Sequence, residues 1–86
     1  MNFFQALQIA DTKSDLIGKE INGERVEDIL IIPTNPDDLK LYIDLYIQTQ
    51  NSQKAIAPFV NGDVKVVALF KKDYLLKVGL FTTIDL

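Results

Sequence analysis

One segment decides what this chain can fold into. From Leu39 to Gln50 the residues satisfy two periodicities at once. Read with period two, Leu39, Leu41, Ile43, Leu45 and Ile47 alternate with Lys40, Tyr42, Asp44, Tyr46 and Gln48, as in a half-buried strand. Read with period 3.6, Leu39, Tyr42, Ile43 and Tyr46 form an apolar face widened by Leu41 and Leu45. The polar residues Asp37, Lys40, Asp44, Gln48 and Asn51 then lie on one stripe.

The preceding residues favour the helix. In Thr34-Asn35-Pro36-Asp37-Asp38, Asn35 can cap and Pro36 can take the first helical position, where no N–H is needed. Asp37 and Asp38 then face the positive end of the helix dipole. The competing reading is a type I turn between two strands, with Pro36 at its second position. Tyrosine and isoleucine also lean towards strand.

Around this segment the chain reads as short, closely punctuated elements. Asn2 to Ala10 forms a helix capped by Asn2, with Phe3, Leu7 and Ala10 on one face, and the polar residues 11–15 end it. Asn22-Gly23 marks a two-residue hairpin, because a type I′ turn needs positive φ at both positions. That turn sets Glu20 opposite Arg25 and Ile21 opposite Glu24. The continuous apolar run Ile29-Leu30-Ile31-Ile32 suits a central strand buried on both faces and ended by Pro33.

Asn61-Gly62 predicts a second hairpin, joining Ala55 to Val60 with Val64 to Phe70. Pro58 places the first of those strands at an edge or a bulge. Lys71-Lys72-Asp73 reads as a turn and Tyr74 to Ile84 as a last strand. Residues 1–86 make a single domain, since about 64% burial at this size supports one core. The fold expected is α+β, in the order helix, two strands, helix, three strands, with helices on one face of a mainly antiparallel sheet. A small barrel or sandwich with one N-terminal helix follows if residues 39–50 are a strand.

Chemistry is scarce. The chain has no Cys and no His, which removes thiolate catalysis, the usual general base and the commonest transition-metal ligand. Ser14 and Ser52 read as loop serines without a base to activate them. Glu20, Glu24, Glu27 and Asp28 match no calcium-loop spacing, and Asp37 and Asp38 are explained by capping. Gly18 to Gly23 lacks the residue order of a phosphate loop. No cofactor and no catalytic set is implied.

The net charge of -3 and the single Arg make nucleic acid a poor partner. Its strongest support is an OB-like barrel in which Tyr42 and Tyr46 stack on bases, with Asp44 intruding between them. An acidic inhibitor mimicking nucleic acid has the same charge sign. No run of about 20 apolar residues and no signal-peptide pattern is present, so a cytoplasmic protein, cellular or viral, with no membrane contact is expected. Five Phe and three Tyr exceed what so small an interior readily hides. The expected function is a non-enzymatic protein-binding module that pairs with itself as a homodimer. Phe59, Tyr42 and Tyr46 are its candidate contact residues, Phe59 first because it falls on the expected edge strand, with plain core as the alternative for that residue.

Overall fold

A computed structural model describes residues 1–70 and 83–86. The segment with two periodicities is a helix. Asn35 caps it, its Oδ1 accepting from the N–H groups of Asp37 at 2.9 Å and Asp38 at 3.2 Å. Pro36 opens the helix α2 (Pro36–Thr49), and both aspartates lie in its first turn. Gln50 closes it in the left-handed region at φ 50°, its N–H donating to the Tyr46 carbonyl at 2.7 Å.

The other helices also begin at asparagines. Asn2 caps α1 (Phe3–Lys13) in a reciprocal box with Gln5: Gln5 N–H donates to Asn2 Oδ1 at 2.8 Å and Asn2 N–H to Gln5 Oε1 at 3.1 Å. This helix runs three residues past the expected end at Ala10, because Asp11, Thr12 and Lys13 contain no breaker and sit on its exposed side. Asn51 caps the short helix α3 (Ser52–Ile56), which continues as a 3-10 turn over Ala57–Phe59.

Among the described residues four strands make an antiparallel sheet in the order β1-β2-β3-β4. They are β1 (Glu20–Ile21), β2 (Glu24–Pro33), β3 (Val64–Phe70) and β4 (Thr83–Asp85). Asn22 and Gly23 take φ 53° and 81°, and Glu20 pairs with Arg25 and Ile21 with Glu24, as the hairpin reading requires. The class is α+β. Helix α1 packs on β2 and β3, while α2 and α3 pack on β2 and on each other.

Three expectations need correction. Residues 55–60 are not a strand, and Asn61-Gly62 is not a hairpin turn. Asn51 Oδ1 accepts from the N–H groups of Gln53 at 3.0 Å and Lys54 at 3.1 Å and so starts a helix ahead of Ala55, and Pro58 has no N–H to give a ladder. Gly62 instead donates its N–H to the Phe59 carbonyl at 3.0 Å and closes the 3-10 turn. The strand buried on both faces is β3, where residues 66–70 are buried in succession, whereas Ile29 and Ile31 of β2 are only half-buried. The end of the expected last strand is seen in β4. The expected turn at Lys71-Lys72-Asp73 and residues 74–82 of that strand lie outside the described residues.

The caps give a direct test. Asn35→Ala removes the acceptor for two orphan N–H groups of α2 and should cost about 1 kcal/mol. The midpoint of urea unfolding measures it; an unchanged midpoint would mean that α2 is held by packing alone.

Candidate functional site

The site begins with the phase of the β2–β3 ladder. Antiparallel partners alternate between pairs that exchange hydrogen bonds and pairs that turn their N–H and C=O groups away. Thr34 N–H donates to the Asp63 carbonyl at 3.2 Å, directly beyond the Pro33–Val64 pair. Counting back by two, Ile32, Leu30 and Asp28 direct their backbone groups at β3. Pro33, Ile31 and Ile29 direct theirs outward.

The far side of β3 agrees. Val64 N–H donates to the Met1 carbonyl and Leu86 N–H to the Val66 carbonyl, both at 2.9 Å, so the partners of Pro33 and Ile31 also face away from β2. A bulge between Val26 and Asp28 then shifts the phase. Val26 N–H donates to the Lys19 carbonyl and Gly18 N–H to the Val26 carbonyl, each at 2.8 Å. Beyond Val26 the outer edge of β2 has no strand partner among the described residues.

That open edge is the floor of a groove of about 530 Å³. Phe3, Leu7 and Ala10 of α1 line one wall. The end of α2 and the start of α3 line the other with Tyr46, Gln50, Asn51, Ser52, Gln53 and Ile56. Asp28, Ile29 and Ile31 come from β2. One wall is apolar and the other mostly amide and hydroxyl. Asp28 is the single charged residue in the lining among the described residues.

Asp28 Oδ1 accepts from the N–H of Ile29 at 2.8 Å, closing one of the outward groups of the edge. Burial pushes the Asp28 carboxyl above its ordinary value, the Ile29 N–H opposes this, and neighbouring Glu27 adds to it. Burial also raises the Tyr46 hydroxyl, with Asp28 and then Glu27 contributing. Tyr42 is raised further, by burial first, then Tyr46 and Asp28. The two rings are tilted, with centroids 6.1 Å apart.

The residues singled out in the sequence are placed very differently. Tyr42 is fully buried, and its hydroxyl has no hydrogen-bond partner among the described residues. It packs the core and offers no contact surface in this fold. Tyr46 is half-buried and does reach the groove. Phe59 is half-buried against the core from a 3-10 turn, so the edge strand that recommended it does not exist. Ser52 is a half-buried first residue of α3 in the groove wall rather than a loop serine. Among the described residues, no three acidic side chains gather as metal ligands, and no helix is long and apolar enough to cross a membrane.

Sequence reading missed α3 and with it half of one wall. The signal was Asn51 before Ser52-Gln53-Lys54, the same asparagine-first pattern that marks α2. The groove itself has no local signal, because its floor and walls come from four separate elements.

Two outcomes follow from these environments. Tyr42→Phe deletes a buried hydroxyl that makes no bond among the described residues, so stability should be unchanged or rise by about 1 kcal/mol in urea unfolding. A clear loss would reveal a hydrogen-bonded hydroxyl.

For Asp28 the sign is fixed by linkage: an acid with a raised folded pKa favours the fold while protonated and loses that contribution as pH rises. Wild type should therefore fall below Asp28→Asn as pH climbs above the ordinary 3.8 and through the raised value, the two converging in more acidic solution. Asparagine retains the oxygen that accepts from Ile29. Urea midpoints over a pH series test this, and a gap independent of pH would remove burial of the charge as its cause.

No family model matches this chain, and neither a curated protein nor a solved structure matches it, so surface chemistry alone carries a functional reading.

Proposed function

We propose that the domain is a non-enzymatic protein-binding module that self-associates through α1. The observation that carries this is the exposed pair Phe4 and Leu7, at 71% and 46%. They are three residues apart and so neighbour each other on the helix surface. Leu7 also lines the groove, so apolar surface continues from the groove wall onto the outside of α1. Single exposed apolar residues are ordinary; an adjoining pair beside a groove is the kind of surface that protein partners cover.

Burial of Tyr42 weakens the competing nucleic-acid reading, which needed two open tyrosines for stacking. The net charge of -3 weakens it further. Contact through α1 replaces contact through Phe59, whose ring is turned to the core. A second copy is the simplest partner, since a patch that pairs with itself closes most often as a two-fold dimer.

Light scattering is expected to give twice the 9.7 kDa chain mass at high micromolar concentration. Phe4→Ser should return the mass to a monomer with circular dichroism unchanged, because Phe4 contributes little to the core. A wild-type monomer throughout that range overturns self-association.

A further inference from the structure

We propose that the outer edge of β2 at Ile29 and Ile31 accepts an extended segment of a partner protein as an added strand, with a basic side chain of that segment beside Asp28. The proposal rests on the protein-binding reading and names a partner for the groove. Its first support is the backbone. Ile31 presents both its N–H and its C=O outward, and Ile29 presents its C=O while its N–H is held by Asp28. An antiparallel segment can exchange both bonds with Ile31 and donate one to Ile29, which is the pattern of strand addition.

The ends of this opening are defined. Towards Val26 the bulge and the backbone of Lys19 and Gly18 close the edge. Towards the other end Pro33 has no N–H to offer. Only a short stretch of partner backbone can pair, and open-ended growth of the sheet is blocked by the same features that protect natural edges.

The walls choose the kind of partner. Helix α1 stands on one side and α2 with α3 on the other, so the floor admits a bare extended chain and not a strand flanked by its own helices. A second copy of β2 is flanked in that way. The charge chooses the sequence. Among the described residues Asp28 is the only charged one lining the groove, it is half-buried, and no cation pairs with it. A Lys or Arg in the segment supplies the missing charge, and apolar side chains find Phe3, Leu7 and Ile56.

The test selects short randomised segments from a display library on the immobilised full chain, and remakes the strongest binder as a synthetic peptide. The expected binder alternates apolar and polar residues and contains Lys or Arg. N-methylation of alternate backbone amides on the pairing side should weaken it about tenfold or more, and methylation of the intervening amides should not. Amide hydrogen exchange at Ile31 should slow on binding, and Asp28→Asn should weaken the basic peptide more than its Gln counterpart.

Binding that is indifferent to N-methylation, or that leaves Ile31 exchange unchanged, overturns strand addition. Selection of segments without basic residues overturns the role of Asp28. Failure to select any segment also overturns the proposal; the protein-binding reading then stands or falls separately on the light-scattering mass.

Discussion

Proline has no N–H, and Pro33 pairs with Val64 at a position where none is needed. That coincidence fixes the phase of the longest ladder among the described residues. With Pro33 outward, Ile31 and Ile29 must also turn their backbone groups outward, while Ile32, Leu30 and Asp28 bond to β3. Val64 and Val66, opposite Pro33 and Ile31, are free to bond Met1 and Leu86 on the other side. A slip of one residue would place the missing N–H inside the ladder. It would also exchange the faces of every side chain on β2, Leu30 and Ile32 leaving the positions where they are now buried.

The ladder explains why β3 rather than β2 is the central strand. β3 has β2 on one side and β4 with Met1 on the other, and its residues 66–70 are buried in succession. β2 has β1 only as far as the bulge. Among the described residues its second half is a strand by pairing and an edge by position. The apolar run of residues 29–32 looks central in sequence because it lacks alternation. What it meets instead is helix surface, with α1, α2 and α3 all packed on the strand. Composition records the burial and not which kind of element supplies it.

Legibility followed the same line. Features set by a few adjacent residues could be read: Asn35-Pro36-Asp37-Asp38 gave a capped helix, and Asn22-Gly23 gave the positive φ pair of a tight hairpin. Asn61-Gly62 is the same dipeptide and failed, since a turn signal needs two strands to join and residues 55–59 are helical. Its neighbours decided its meaning. Tyr42 belonged to the core as soon as its segment was a helix, and only the strand reading put it beside Tyr46 on an open face. The groove could not be read, because Phe3, Ile31, Tyr46 and Ile56 come together only once the ladder phase and three caps are in place.

Asp28 is where these constraints meet. The bulge turns its backbone towards β3 and leaves its carboxylate at the edge, half-buried, bonded to the N–H of the next residue. Natural edges are commonly blunted by charge, by proline or by a bulge, and β2 carries all three: Asp28, Pro33 and the shift after Val26. The blunting is incomplete. Asp28 satisfies the N–H of Ile29, but an anion offers nothing to the outward carbonyls of Ile29 and Ile31, which it can only repel. An edge defended by a lysine could donate to those carbonyls itself. One defended by an aspartate stays short of donors and of positive charge. A basic extended chain brings both together.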